Sequence, residues 1–245
     1  MLQLMVKDPS PSLKKFLPDA LAVCYDHIYP ILAQRATPDL KIPFFQFVRD
    51  CLNYRWNYFF PSLVVSLPKT GSPSSTGGPG NEESPMQKAS NRLDQILQSV
   101  GHSFLQPDLE VFRFNLNSFS QWNEKHNMYM KLAAKPQMLN QFMTVLVQVL
   151  VQKSHDLLRE EVAFVLFEMA AVNYSKFCDE FLPELLYSHF PLLNATQRSS
   201  VLDKFRKMDN PQDYDLHTFS QNLSRFIDDL RFCHFYIECQ QRNSA

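Results

Sequence analysis

The segment from Gln137 to Ala171 repeats its apolar residues at spacings of three and four, which is the period of an α-helix and not of a β-strand. Its first half has an apolar stripe opposite a face of glutamines, and the stripe consists of Met138, Leu139, Phe142, Val145, Leu146, Val149 and Leu150. After a short polar break the pattern resumes at Leu158, Val162, Val165, Leu166 and Met169. Because the break is so short, the sequence predicts two antiparallel helices.

The start of the second predicted helix carries residues suited to a helix N-terminus. Ser154 or Asp156 is expected to cap it, because a short side-chain oxygen accepts a hydrogen bond from the unpaired N–H groups. Asp156, Glu160 and Glu161 also place negative charge at the positive end of the helix dipole. The two helices have wide apolar faces that they cannot bury alone, so we expect neighbouring helices on both sides.

The distribution of glycine extends this conclusion to the rest of the chain. Four of the five glycines lie in one short window, Gly71 to Gly80, so elsewhere almost no residue favours a positive φ. Tight β-hairpins and glycine-rich phosphate loops are therefore not expected. The sixteen prolines are spread along the chain, where they separate helices or kink them. The sequence predicts an all-α protein.

Apolar stripes predict further helices on both sides of this pair. The first is expected over residues 13–35, with a kink at Pro30 and with inward residues Leu17, Leu21, Cys24, Ile28 and Leu32. A turn at Thr37–Asp39 leads to a second helix from Pro43 to Phe60, whose many aromatic residues favour burial on most sides over an aromatic ligand pocket. The other helices are expected at 86–104, at 108–130 with Asp108 as cap, at 175–187 with a bend at Pro183, from Asn194 with Gln197 in a capping box, and from Asp215 onward.

The composition changes between Pro68 and Pro85, where PKTGSPSSTGGPGNEESP has no apolar side chain able to anchor it. We expect residues 68–88 to form a disordered surface loop between helices. Ser72, Ser74 and Ser84 are candidate phosphorylation sites in this loop, and an unmodified loop is the simpler interpretation.

The last predicted helix repeats apolar residues alternately three and four apart over three heptads, at Leu216, Phe219, Leu223, Phe226, Leu230, Cys233 and Ile237. This spacing is compatible with a coiled-coil seam, but it is more typical of a final helix that closes a stack of helices. A closing helix needs a polar outer face, for which the candidates are Asn222, Arg225, Asp228, Asp229 and Arg231.

The predicted helices are mostly paired, at about 30–50 residues per pair, and pairs of this size in a row indicate helical repeats. The sequence therefore predicts HEAT-like helical-hairpin repeats in a right-handed α-solenoid, with a compact bundle as the alternative. We expect a first helical pair in residues 1–67, the loop in residues 68–88, and further repeats with a terminal capping helix in residues 89–241.

Charge and cysteine content argue against several classes of protein. The net charge is −1, and no basic cluster of the kind that binds nucleic acid is visible. The longest apolar run, residues 142–151, is about half a membrane span and contains Gln148, and no signal peptide is recognisable. The five cysteines are odd in number and lack CxxC spacing, which favours reduced, buried thiols in a cytosolic or nuclear protein. We expect neither a nucleic-acid nor a membrane partner.

No set of residues forms a recognisable catalytic or metal-binding pattern. His155 and Asp156 are adjacent and face different directions, so they are interpreted as part of a helix start. The glycines of the loop lack the Gly-Lys-Ser/Thr ending of a phosphate-binding loop. One group near the C-terminus falls short of the three or four converging ligands that zinc requires, namely Cys233, His234, Glu238 and Cys239. We therefore expect no catalytic residue, no cofactor and no metal, and a small all-α enzyme is the weakest interpretation.

Four blocks of sequence from about Leu105 onward resemble the C-terminal end of nuclear export receptors of the karyopherin-β family. They are LVQVLVQKSHDLLREEV (146–162), FLPELL (181–186), FRKMD (205–209) and DLHTFSQNLSRFIDDLRF (215–232). The blocks occur in the same order as in the family, whereas residues 1–104 match only loosely and residues 210–214 look like an insertion.

This resemblance implies that the chain is the C-terminal part of a larger receptor that carries protein cargo from the nucleus to the cytoplasm together with Ran-GTP. The implied partners are the GTP form of the Ran GTPase, bound mainly through a region near the family's N-terminus, nuclear pore proteins, and a cargo such as actin–profilin. The implied location is the nucleus and the cytoplasm. The resemblance identifies no individual contact residue. A HEAT-like scaffold or regulatory subunit that organises other protein complexes is the alternative.

Overall fold

The computed structural model of the protein describes residues 6–8, 15–34, 37–60, 84–206 and 215–243, and not the side chains of residues 85, 206 and 234–243. Every regular element within these ranges is a helix, which confirms the predicted all-α class. The chain divides into two compact units, Met1–Val100 and Gly101–Ala245, and the division falls inside one long helix.

The described helices of the first unit are α1 (Leu17–Val23), α2 (Tyr29–Gln34), α3 (Pro38–Tyr54), α4 (Trp56–Phe59) and α5 (Pro85–Phe104). A π-helical turn, Cys24–Ile28, joins α1 to α2 without a break. The core of this unit is rich in aromatic rings, whose neighbouring centroids lie 5.3–5.7 Å apart among Tyr25, Tyr29, Phe44 and Phe45.

The π-helical turn corrects one predicted inward position. Four of the five residues assigned to the inward stripe are buried, but Ile28 is 37% exposed. The Tyr29 N–H donates to the carbonyl oxygen of Cys24, five residues earlier, so the turn is wider than an α-helical one and rotates Ile28 away from the stripe. Pro30 follows directly, and in a regular helix its ring would clash with the carbonyl group four residues before it. The predicted kink therefore takes the form of a widened turn.

The second predicted helix begins earlier than its sequence suggested. α3 starts at Pro38, so the predicted turn at Thr37–Asp39 is wrong. Proline is favoured in the first helical turn because its missing N–H would be unpaired there in any case. The helix ends at Tyr54, and α4 follows Arg55 as a separate short helix, so the predicted range to Phe60 is divided. Burial is extensive, as expected, for Phe44, Phe45, Phe47, Val48, Cys51 and Leu52, whereas Tyr54 is exposed.

The predicted loop lies almost entirely outside the described residues. α5 begins at Pro85, so residues 85–88, which the prediction assigned to the loop, are helical. Ser84 caps this helix, because its hydroxyl oxygen accepts a hydrogen bond from the Gln87 N–H at 3.2 Å. The apolar residues Leu93, Ile96, Leu97 and Val100 of this helix are all buried. Ser72 and Ser74 lie outside the described residues.

The described helices of the second unit after α5 are α6 (Leu109–His126), α7 (Met128–Leu132), α8 (Pro136–Gln152), α9 (Arg159–Val172), α10 (Tyr174–Lys176), α11 (Leu182–His189), α12 (Ala195–Arg206) and α13 (Leu216–Asn243). A 3-10 turn, Asp156–Leu158, precedes α9, and a second π-helical turn, Phe177–Phe181, joins α10 to α11. Phe104, Phe112, Phe119 and Phe142 form one aromatic cluster of this unit, with ring centroids 4.4–6.5 Å apart.

The helices α8 and α9 confirm the predicted pair from Gln137 to Ala171, but the predicted cap of α9 is wrong. α9 begins at Arg159, and the residue before it, Leu158, provides no side-chain hydrogen bond to the helix. Neither Ser154 nor Asp156 caps α9, because the 3-10 turn moves the start of the helix beyond their reach. Glu160 and Glu161 lie in the first turn, as predicted.

Two other predicted caps are confirmed. The Asp108 carboxylate accepts hydrogen bonds from the Glu110 and Val111 N–H groups at 3.1 and 3.0 Å. Asn194 and Gln197 form the reciprocal capping box, with each side-chain oxygen 2.9 Å from the other residue's backbone nitrogen. The helix after Asp108 ends at His126 and not near Met130, because the next residue adopts a left-handed conformation with φ 53°.

The apolar stripe of the last helix, α13, packs within its own unit. Its stripe residues Phe219, Leu223, Phe226 and Leu230 are buried, whereas Leu216 is 37% exposed. The Phe219 ring lies 5.5–5.9 Å, centroid to centroid, from the rings of Phe167, Phe177 and Phe205. These contacts occupy the stripe that a coiled-coil partner would need. The side chain of Ile237 lies outside the described residues.

Candidate functional site

A groove of about 770 Å³ lies in the second unit between α9, α13 and the end of α8. We call it the α9–α13 groove. Its apolar part is formed by Leu150, Ala163, Leu216, Leu223 and Ile227, and its polar part by Arg159, Glu160, His217, Ser220, Gln221, Ser224 and Arg225.

The groove exists because small side chains face each other across the two helices. Ala163 on α9 lies opposite a face of α13 on which Ser220 and Ser224 are four residues apart. Residues four apart share a helix face, so the two serines leave a continuous gap beside the buried leucine and phenylalanine stripe. The sequence analysis missed this site, although a pair of serines at this spacing beside a complete apolar stripe was the available signal.

The two main walls of the groove run in opposite directions. Phe167 on α9 lies against Phe219 on α13, with ring centroids 5.5 Å apart. The Arg231 side chain, three turns further along α13, contacts backbone oxygens at the end of α8, just before α9 begins. The start of α9 therefore lies beside the middle of α13, near Ile227. This places the two arginines that line the groove, Arg159 and Arg225, at the same end of it.

The groove is lined by more positive than negative side chains. Glu160 is its one lining carboxylate, and two guanidinium groups, Arg159 and Arg225, accompany it. Neither arginine forms a hydrogen bond or ion pair with any residue that the structure describes. At the other end, the side chains of His217 and Gln221 are hydrogen-bonded at 2.8 Å. The groove is thus apolar along its floor and positively charged at one end.

Arg231 has a structural role that the sequence did not reveal. It was predicted to lie on the polar outer face of α13, but its Nε donates to the Val151 carbonyl oxygen at 2.9 Å, and its Nη2 donates to the Leu150 carbonyl oxygen. These carbonyl groups belong to the last turn of α8, where the regular donors four residues later are missing, and the Leu150 oxygen also accepts from the Lys153 N–H at 3.4 Å. Lys153 ends the same helix in a left-handed conformation, with φ 55°. Arg231 therefore ties α13 to the floor of the groove.

A second polar cluster lies where α6, α7 and α9 meet. Asn123 joins the three helices, because its Oδ1 accepts from the Tyr129 N–H at 3.1 Å and its Nδ2 lies 3.5 Å from Glu168 Oε1. Burial raises the pKa of the Glu168 carboxyl above its usual value, and burial together with Glu168 raises the pKa of Tyr129. The cluster anchors the corner between α6 and α7 to α9, and the groove lies elsewhere.

The histidine that the sequence singled out is a buried connector. His155 is 4% exposed, its Nε2 lies 2.9 Å from the Gln106 carbonyl oxygen, and its ring stacks on Phe112 at 4.1 Å. It therefore joins the α8–α9 connection to the α5–α6 connection, and its side chain does not cap the 3-10 turn that begins after it. Asp156 is exposed and lies in the 3-10 turn.

The cysteines that the structure describes behave as structural thiols. Cys24, Cys51 and Cys178 are buried, as predicted, and Cys233 is partly exposed. Burial raises the pKa of Cys24 to about 11 and the pKa of Cys51 well above its usual value, so both stay protonated and unreactive at neutral pH. Over the described ranges no three His, Cys, Asp or Glu residues gather closely enough to hold a metal ion. The side chains of His234, Glu238 and Cys239 lie outside those ranges.

None of the helices in the described part of the chain combines the length and the apolar character needed to cross a membrane.

Comparison with known proteins identifies the family to which this helical architecture belongs. A family model for the C-terminal TPR repeats of Exportin-6 matches residues 52–236. TPR repeats, like the HEAT-like repeats predicted from the sequence, are stacked helix pairs, so the match supports the predicted repeat-type all-α fold. The match also includes every residue of the α9–α13 groove.

Individual relatives extend the similarity over nearly the whole chain. Exportin-6-A of Xenopus laevis is 39% identical over 232 residues, and Exportin-6 of Homo sapiens is 39% identical over 231 residues. Exportin-6 of Dictyostelium discoideum is 22% identical over 235 residues. The alignments cover 94–96% of this chain and 19% of each relative, so the chain spans about a fifth of their length.

These alignments extend the resemblance seen in the sequence to a larger part of the chain. An aligned length of 232 residues must include most of residues 1–104, which were predicted to match only loosely. No solved structure matches the chain. A family model that covers most of the chain, together with relatives 39% identical over 94% of it, establishes that the chain belongs to the exportin-6 family and corresponds to its C-terminal helical repeats.

Proposed function

We propose that the chain forms the C-terminal repeats of a nuclear export receptor that carries protein cargo from the nucleus to the cytoplasm. The observation that supports this most strongly is the 39% identity to Exportin-6 of Homo sapiens over 94% of the chain. That relative is named as an exportin. Because the chain spans 19% of its length, transport is a property of the larger receptor to which these repeats contribute.

In this proposal the receptor binds Ran-GTP and cargo at once, and each partner tightens the binding of the other. Both ligands favour the same curvature of a solenoid, so the free energy of binding one contributes to the affinity for the other. The cargo is actin–profilin, nuclear pore proteins are further partners, and the receptor shuttles between nucleus and cytoplasm. Ran contacts lie mainly in a part of the receptor other than these repeats.

The repeats have a mechanical and binding role in this cycle and no catalytic one. α13 closes its unit with a buried stripe of rings, and the α9–α13 groove beside it contains no pair of acid and base groups within hydrogen-bonding distance. Stacked helix pairs of this kind form a curved solenoid, and its extended concave surface contacts partners. We therefore propose a transport receptor and not an enzyme.

A chimera tests the proposal in a complete receptor. The matching region of Exportin-6-A of Xenopus laevis is replaced by this chain, and the purified chimera is tested for binding to Ran loaded with GTP or GDP, with and without actin–profilin. We expect preference for Ran-GTP, and tighter Ran-GTP binding when cargo is present. Equal binding to both nucleotide states, while the unaltered frog receptor discriminates between them, would contradict the proposal.

The chimera with Leu223→Asp provides the control for folding. Leu223 is 3% exposed on the inward stripe of α13, so a charge there should unfold the end of the chain. We expect loss of cargo-dependent Ran-GTP binding and loss of helical circular dichroism in this variant. If it binds Ran-GTP and cargo like the parent chimera, the last helix makes no contribution to the function proposed for it.

A further inference from the structure

We propose that the α9–α13 groove binds an acidic, amphipathic helix of a partner protein. This inference goes beyond the transport role and does not depend on it, because the chemistry of the groove is the same whether or not the larger receptor carries cargo.

The positive charge of Arg159 and Arg225 favours an acidic partner. Arg159 and Arg225 line the same end, and neither has a hydrogen-bonding or ionic partner among the described residues. Glu160 is the one carboxylate in the lining, so the lining itself keeps an excess of positive charge. The N-terminus of α9, at Arg159, has no side-chain cap, and Glu160 and Glu161 in its first turn offset part of the positive end of the helix dipole. Two free guanidinium groups suit carboxylates, which each can bind through two hydrogen bonds.

The floor of the groove indicates an apolar face on the same partner. Leu216 is 37% exposed although it belongs to the apolar stripe of α13, and Ala163 and the two serines leave space beside it. The stretch of α13 from Leu216 to Ile227 is about 16 Å long, or three helical turns. A partner helix of that length places apolar residues at positions i, i+4 and i+7 along the floor, in the manner of other helix-in-groove complexes.

The distribution of charge makes this partner more suitable than a nucleic acid. Sequence-independent binding to phosphates needs several lysines and arginines along a surface. Here two arginines stand at one end of an apolar floor, next to a glutamate. An extended polyanion would leave the exposed Leu216 side chain uncovered, whereas an amphipathic helix can cover it and also reach both arginines.

An unbiased peptide selection tests the inference. The full 245-residue chain is immobilised and exposed to a display library of random 12-residue peptides, with counter-selection against the Ser220→Leu/Ser224→Leu variant. The two leucines fill the groove without changing its charge, so peptides that survive counter-selection are those that need the open groove. Melting temperatures and helical circular dichroism of both proteins are compared first, to establish that the leucines leave the fold intact.

The expected result is a set of peptides with net negative charge and leucine-like residues at helical spacing. Synthetic copies should bind the unaltered chain in fluorescence anisotropy, and Arg159→Gln/Arg225→Gln should weaken them by roughly tenfold or more, with weaker binding at high salt. Arg113→Gln is the matched control, because Arg113 is an exposed helical arginine on α6 outside the groove, and it should change nothing.

Three results would overturn the inference. The first is a selection that yields only neutral or basic peptides, or no peptide that depends on the open groove. The second is binding that the Arg159→Gln/Arg225→Gln variant leaves unchanged. The third is a doubling of the mass of the chain in light scattering that the serine-to-leucine variant abolishes, because a second copy of the chain would then be the occupant.

Discussion

The two π-helical turns share a local cause but differ in what holds them. Cys24–Ile28 lies in the first unit and Phe177–Phe181 in the second, and each ends two residues before a proline, Pro30 or Pro183. In both turns a backbone N–H donates to the carbonyl oxygen five residues earlier. The wider turn relieves the clash between the proline ring and the carbonyl group four residues before it.

The first turn combines ring packing, of Tyr25 against Tyr29 and Phe44, with directed polar contacts. The Tyr25 hydroxyl lies 3.1 Å from Ser99 Oγ on α5, and Asp26 receives two hydrogen bonds from the Arg92 guanidinium at 2.7 and 2.8 Å. The second turn makes its main contacts through rings. Phe177 lies 5.5 Å, centroid to centroid, from both Phe181 and Phe205.

This difference shows that a proline determines where a helix widens but not how the widened turn is fixed in the core. Directed polar contacts supplement the rings of the first turn at two points, and the exposed Arg92–Asp26 pair is worth little because water competes for it. Ring packing fixes the second turn over a large buried area, and the loss of one ring leaves a cavity. The two turns should therefore respond very differently to single substitutions.

Phe177→Ala should have the largest effect. Phe177 is 3% exposed and joins the second π-turn to α12 and α13, so its removal should lower the free energy of unfolding by about 3–5 kcal/mol. Urea unfolding followed by circular dichroism measures this change. Phe232→Ala is the control, because Phe232 on α13 is 70% exposed, and it should cost less than about 1 kcal/mol. Equal effects of the two substitutions would refute the idea that ring packing holds the second turn.

The sequence predicted the elements whose causes are local. The Asn194–Gln197 box and the Asp108 cap depend on residues within one turn, and the stripe of α8 depends on a simple period. A kink at Pro30 and a bend at Pro183 were also predictable, because a proline alters its own helix. The exposure of Ile28 was not, since a kink can take several forms and each rotates the following residues differently.

The groove was hidden from sequence reasoning for a different reason. Arg231 reaches carbonyl groups 80 and 81 residues away in the chain, and Arg159 meets Arg225 only because α9 and α13 run antiparallel. Nothing local distinguishes these arginines from others on polar helix faces. His155 was misread for the same reason, because its partner, Gln106, lies 49 residues away.

Tyr25→Phe should have an intermediate effect on the free energy of unfolding, and it tests the polar contact of the first turn. Ser99 Oγ donates its hydrogen to the Ile96 carbonyl oxygen at 2.7 Å, so the Tyr25 hydroxyl is the donor in its contact with Ser99. Phenylalanine keeps the ring and removes one buried hydrogen bond, which should cost about 1 kcal/mol in urea unfolding.

A double-mutant cycle isolates this hydrogen bond from other effects of the substitution. Ser99→Ala is combined with Tyr25→Phe, and the two changes should be less costly together than the sum of the single changes. Strict additivity would show that the two hydroxyl groups do not stabilise each other, and the first turn would then rely on its rings as the second one does.

Arg92→Gln should have the smallest effect, and its dependence on pH identifies its origin. Arg92 lowers the pKa of Asp26 below its usual value by hydrogen bonding to the carboxylate, and Arg92 and Asp26 are 21% and 46% exposed in their side chains. A depressed carboxyl pKa stabilises the fold above the pKa of the unfolded chain, about 3.9, and this contribution disappears as the pH falls through the lower, folded value. We expect a cost of about 0.5 kcal/mol at pH 7, discounted for solvent exposure, and no difference from the unaltered chain in acid.

Urea unfolding between pH 7 and pH 2.5 measures this cost. Arg113→Gln, which breaks the exposed pair with Glu110, is the matched control. A cost that persists undiminished at pH 2.5 would show that the Arg92 stem packs against the first turn, and that this turn is held by burial in the same way as the second.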